Sequence, residues 1–116
     1  FLTMTEKDIQ AILKVFVAYR KGVVPKGTYK ALTDRAYETV VDWNLIMADK
    51  NLSEDIAYRL VKATYDNNPA LMAVHPVSNM TKVENAINTP IPLHSGTIKY
   101  LKEKKIPIPE SLISVE

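Results

Sequence analysis

Ile91-Pro92-Leu93-His94-Ser95-Gly96-Thr97-Ile98-Lys99-Tyr100-Leu101-Lys102-Glu103, residues 91–103, is the stretch whose reading decides the fold. Pro90 and Pro92 break the chain at its start, and Ser95 is placed to cap a final helix carrying Ile98 and Leu101. Beyond the helix, Ile106-Pro107-Ile108-Pro109 cannot be helical and is expected to run extended. Upstream the same punctuation repeats. Thr81-Lys82-Val83-Glu84 has the spacing of a capping box and predicts a short helix through Ile87. Residues 70–74 form another short helical stretch, ended by Pro76. Before it Ser53, followed by Glu54 and Asp55, opens a longer helix that Asn67-Asn68-Pro69 stops. Ile56, Leu60 and Thr64 make one stripe of that helix, beside Ala57, Val61 and Ala63.

The N-terminal part differs in character. Thr5 followed by Asp8 predicts a capped helix, with Ile9, Ile12, Leu13 and Phe16 on one apolar face. Phe16-Val17-Ala18-Tyr19 turns aromatic and β-branched, which predicts a strand-like segment running toward Val23-Val24. Pro25-Lys26-Gly27-Thr28-Tyr29 is a turn, with glycine able to take the positive φ of a type II turn. After a polar stretch at Thr33-Asp34-Arg35, residues 39–47 alternate: Val41, Trp43, Leu45 and Met47 fall on one side, the period of a strand. The order is helix, strand, strand, then several helices. That is an α/β chain with too few strands for a sheet that stands alone.

The chain has 116 residues, of which 47% are hydrophobic and 24% charged, enough for one globular core and unlike a disordered segment. A net charge of +2 gives no reason to expect a nucleic-acid partner. With no cysteine there are no disulfides, thiolate metal sites or cysteine nucleophile. No apolar run approaches the ~20 residues that span a bilayer, so the chain is not expected to be membrane-embedded. It starts at Phe1 without a signal-peptide pattern, as a processed or trimmed chain would.

Chemistry-bearing constellations are sparse. His75 and His94 stand nineteen positions apart without a paired metal-ligand spacing, and a histidine beside proline more often caps a helix or satisfies a carbonyl. Lys99, Lys102, Lys104 and Lys105 form a basic face that Glu103 interrupts, more in keeping with a helix C-terminus than with phosphate binding. The three glycines have neither P-loop nor dinucleotide-loop spacing. No catalytic residue, metal or cofactor is expected. Tyr29, set after a rigid turn, and Trp43, in a strand, could wall a ligand pocket or be core aromatics.

Taken together these motifs resemble the C-terminal part of TAXI-family receptors, the solute-binding subunits of TRAP-type transporters. The family has a histidine-proline turn, matched at Val74-His75-Pro76-Val77, and a helix carrying Glu-Asn-Ala, matched as Glu84-Asn85-Ala86. A proline-leucine-histidine-proline-glycine-alanine run leads into a tyrosine-bearing helix. Here Pro92-Leu93-His94 and Gly96 are kept, while Ser95 and Thr97 replace proline and alanine. Val24-Pro25-Lys26-Gly27-Thr28-Tyr29 resembles the family's Ile-Pro-Ala-Gly-Thr-Tyr turn, Trp43-Asn44 its tryptophan-asparagine pair, and Leu52-Ser53-Glu54-Asp55 its helix start. A related fold family handling a pyrimidine precursor matches these motifs less well.

The resemblance implies a portion of a two-lobed periplasmic binding protein. Residues 1–36 would finish one lobe and cross over, and 37–116 would supply a strand and closing helices to the other. It further implies noncovalent capture of a small organic acid or an amino acid such as glutamate, periplasmic or otherwise extracytoplasmic location, and delivery to membrane permease subunits, with no turnover. Tyr29, Thr28 and Trp43 are the implied ligand contacts. A chain without its sheet partners is also expected to self-associate. The alternative from the residues alone is a free-standing protein-interaction domain, with the helix over residues 53–66 as its surface.

Overall fold

The computed structural model describes residues 4–31 and 34–113; Thr33, read above as part of a polar stretch, lies outside them. The chain divides into two compact units, Phe1–Asn44 and Leu45–Glu116. The class is α/β as expected, with four α-helices and one two-stranded sheet among the described residues.

In the first unit α1 (Glu6–Val15) begins with the anticipated capping box. The Thr5 hydroxyl accepts from the Asp8 amide at 3.2 Å, and the Thr5 amide donates to the Asp8 carboxylate at 2.9 Å. Ile9 is fully buried where α1 meets the sheet. The strands β1 (Arg20–Val24) and β2 (Tyr37–Val41) pair antiparallel, from Arg20 opposite Val41 to Val24 opposite Tyr37.

Both strands are shorter than the sequence pattern suggests. Phe16-Val17-Ala18-Tyr19 is a turn and not part of a strand: the Phe16 amide still closes α1 on the Ile12 carbonyl, and the Tyr19 amide donates to Phe16. These local bonds use the groups a ladder would need. The strand expected over residues 39–47 likewise ends at Val41, because its partner stops at Arg20 and nothing described pairs with the next residues. Alternation marks the capacity to be a strand; a ladder also needs a neighbour.

The second unit is built on α2 (Glu54–Asp66), α3 (Asn68–Val74) and α4 (Ser95–Glu103), joined by short 3₁₀ turns. Ser53 caps α2 as expected, its hydroxyl accepting from the Ile56 amide. Asp66 ends that helix, and Pro69 sits in the first turn of α3, where its missing N–H is no loss. The core lies between α2 and α4, where Ala57, Tyr100, Leu101 and Leu112 are buried. Gly96 makes this possible: a Cβ there would stand 2.5 Å from the Glu54 carbonyl oxygen and 2.5 Å from the Tyr58 nitrogen. Of the expected stripe on α2, Thr64 is half-buried, whereas Ile56 and Leu60 are 46% and 57% exposed. Ala57 is the buried residue, with Tyr58, Val61, Thr64 and Tyr65 half-buried around it.

Two caps also differ. The turn Val83–Ile87 is 3₁₀, starts from Lys82, and has no side-chain cap. Just before it, Asn68 donates to the carbonyls of Ser78 and Thr81 at 2.8 Å each. The N-cap of α4 is His94 and not Ser95: its Nδ1 accepts from the Gly96 amide at 3.2 Å. At the far end, Lys105 adopts φ 59°, the Ile106 amide bonds Leu101 and the Lys105 amide bonds Lys102. This is a Schellman stop, with lysine in the left-handed position that glycine usually fills. The extended tail then returns to Leu93, whose amide donates to the Leu112 carbonyl at 2.8 Å.

Candidate functional site

Both histidines are engaged in backbone contacts. His75 Nδ1 accepts from the Val77 amide at 3.1 Å. His94 caps α4 through Nδ1, which leaves Nε2 to donate to the Leu52 carbonyl at 3.0 Å and tie the loop before α2 to the start of α4. Among the described residues no group of three or more His, Asp or Glu side chains is arranged to hold a metal ion.

The turn after β1 takes the expected form. The Thr28 amide donates to the Pro25 carbonyl at 3.2 Å and Gly27 has φ 80°, so glycine occupies the third position of a type II turn. Pro25 sits at the first position of that turn, ahead of the site where proline presets φ. The Thr28 hydroxyl donates to the same carbonyl at 2.8 Å, and the Tyr29 ring is exposed. Trp43 lies elsewhere. The turn leaves the ladder at the Val24–Tyr37 end, while Trp43 follows the Arg20–Val41 end, roughly 14 Å away along the strands. Thr28 and Tyr29 are thus brought together, and the ladder keeps the Trp43 backbone apart from them. The Trp43 ring is half-buried, and its indole N–H is buried without an acceptor among the described residues. Such a group is destabilising until something accepts from it.

The most elaborated polar cluster lies in the second unit, and the sequence motifs did not single it out. Asp66, the last residue of α2, receives Lys62 at 2.8 Å, the Tyr100 hydroxyl at 2.8 Å and Lys104 at 3.0 Å. The Tyr100 ring stacks on Tyr65 with centroids 6.0 Å apart and planes 13° from parallel. These rings and Asp66 wall a cavity of about 320 Å³ whose other side is Thr81, Lys82 and Glu84. That volume is at the small end of the range for metabolite pockets. Two of the four lysines of the basic face are paired in the same way, Lys104 with Asp66 and Lys99 with Glu54, each at 3.0 Å. The i,i+4 pairs Lys62–Asp66 and Tyr100–Lys104 were visible in the sequence, but not that the two helices would face one another.

Hydrogen bonds from Lys62, Tyr100 and Lys104 hold the Asp66 carboxyl well below its ordinary pKa of 3.8. Burial, and then the bond to Asp66, raises the Tyr100 phenol well above its ordinary 10. The depressed carboxylate stabilises the fold above the unfolded value and loses that contribution as pH falls through the folded one. Unfolding monitored from pH 7 to pH 2 should therefore show constant stability down to about pH 5 and a decline below it. Asp66→Asn should flatten that acid limb. Lys62, Lys104 and Tyr100, all raised, place the corresponding alkaline loss above pH 10.

No helix of the described residues is long and apolar enough to cross a membrane. A comparison with curated proteins finds no match. A family model, that of the NMT1-like family, matches residues 1–104 and so takes in the turn at Thr28 and Tyr29, Trp43, and the whole Asp66–Tyr100–Lys104 cluster. With nearly all of its length inside that match, the chain belongs to the NMT1-like family, a family of periplasmic binding-protein type.

Proposed function

We propose that this chain acts in an extracytoplasmic solute-binding receptor of TRAP type, which captures a small organic acid or amino acid noncovalently and hands it to a membrane permease. The observation that carries this reading is the family match over residues 1–104, since a binding-protein family suggests solute binding. The TAXI-like motifs, above all Pro25-Lys26-Gly27-Thr28-Tyr29 and Glu84-Asn85-Ala86, support the finer assignment. Thr28 and Tyr29 are the proposed contacts on the turn, with Tyr29 offering an exposed amphipathic ring. Trp43 is the third proposed contact, through its half-buried ring.

A thermal-shift screen of the protein against dicarboxylates, oxo acids and amino acids tests the reading. Ligand at about 100 Kd stabilises the native state by about 2.7 kcal/mol. One acidic solute should raise the melting temperature clearly, and Tyr29→Ala should abolish the rise. No shift across the panel would leave the family membership standing and remove the ligand. The second reading, a protein-interaction domain, draws on the outward-facing Ile56 and Leu60 of α2. It predicts no solute response and a partner lost on Leu60→Lys.

A further inference from the structure

In Asp49-Lys50-Asn51-Leu52-Ser53 an asparagine stands two residues before a serine, with leucine between them. That is the acceptor pattern for N-linked glycosylation. The chain holds the pattern twice, the second time at Asn79-Met80-Thr81. The fold separates the two.

Asn51 is exposed, in the loop that leads into α2 and outside every helix and strand. Asp49 sets its backbone: the carboxylate accepts from the Asn51 amide at 2.7 Å, and the Asp49 carbonyl from the Leu52 amide at 3.0 Å. This turn leaves the Asn51 carbonyl and side-chain amide without a hydrogen bond among the described residues. The Ser53 hydroxyl accepts from the Ile56 amide as the cap of α2, which leaves its own hydrogen to donate. Within the triplet only the Leu52 carbonyl is held from a distance, by His94. Asn79 is exposed too, but it lies inside the 3₁₀ turn Pro76–Met80. The carbonyls around it are taken, those of Ser78 and Thr81 by Asn68 and that of Met80 by Asn85. A transferase has to draw the triplet into its own site, and at Asn79 that means breaking this network.

We infer that Asn51 is a glycosylation site, modified by an oligosaccharide carried on a polyisoprenyl pyrophosphate. In the transfer Asn51 Nδ2 bonds to C1 of the first sugar and loses one proton. The bond from C1 to the pyrophosphate oxygen breaks, and the lipid pyrophosphate leaves with the electron pair. Modification of this kind belongs to exported proteins, so the site rests on the extracytoplasmic location proposed above.

The test is the mass of the intact protein isolated from the extracytoplasmic fraction of its own host. It should exceed that of the bare polypeptide by an oligosaccharide, which peptide mapping should place on Asn51 and not on Asn79. Asn51→Gln should restore the polypeptide mass. Ser53→Asp should do the same with α2 still capped, because aspartate caps as well as serine and lacks the hydroxyl; Ser53→Thr should keep the modification. Unchanged helical circular dichroism in the three variants separates loss of the site from loss of the fold. Bare protein in that fraction overturns the inference, as does sugar on Asn79 alone or sugar that persists in Ser53→Asp. A thermal shift with solute needs no glycan, so the modification and the receptor reading fail separately. Recovery from the cytosol alone overturns both.

Discussion

Gly96→Ala should lower the unfolding free energy by about 3 kcal/mol, the upper part of the range for overpacking a tight interface. The reason is where the new methyl would go. It would lie 2.5 Å from the Glu54 oxygen, 2.5 Å from the Tyr58 nitrogen and 2.7 Å from the Ala57 Cβ. Two of these three atoms are backbone, so relief requires α4 to move away from α2. Urea unfolding measures the loss. Adding Ala57→Gly to Gly96→Ala discriminates the cause: it removes only the side-chain contact, so most of the loss should remain. Full recovery would mean that the Ala57 methyl alone sets the helix spacing.

Tyr100→Ala should be costlier still, about 4 kcal/mol by comparison with other buried aromatic truncations. Tyr100 is 1% exposed, stacks on Tyr65, meets the Tyr58 ring edge-on at 6.1 Å and donates to Asp66. Tyr100→Phe separates these contributions. It keeps the ring and should retain most of the stability at neutral pH. It removes one of the three donors that hold the Asp66 carboxylate, so the acid limb of the stability curve should be shallower and level off at a higher pH, with its onset at about pH 5 unchanged. A curve that does not move would mean that Lys62 and Lys104 alone set the acid response.

Local signals in the sequence were sound where a single turn of chain decides the outcome. Thr5 and Asp8 close a capping box, Ser53 caps α2, and Gly27 takes the positive φ of its turn, because each is a contact between residues two or three apart. The histidine contacts were legible for the same reason: His75 and His94 each bond the amide two residues on. The signal misled where several local solutions compete. Thr81 and Glu84 have capping-box spacing, but the turn over Val83–Ile87 is 3₁₀ without a side-chain cap, and the Thr81 carbonyl is bonded by Asn68, more than ten residues away in sequence. Ser95 was a fair cap by type, and His94 displaced it by one residue because its ring also reaches Leu52.

What the sequence determined by itself is the α/β order of elements, the caps and the turn at Thr28 and Tyr29, together with the family motifs. All of these are encoded over a few residues or in linear order. Tertiary structure decided which side of each element is inside. On α2 the Ile56–Leu60 stripe is the more hydrophobic, yet the Ala57 side is buried, since only Ala57 lets Gly96 bring α4 close enough to bury Tyr100. The Asp66 cluster exists for the same reason, joining residues 34 and 38 positions apart that no spacing rule connects. The strand expected over residues 39–47 shows the converse case. It ends at Val41, because a strand is defined by its neighbour, and beyond Val41 no neighbour lies among the described residues.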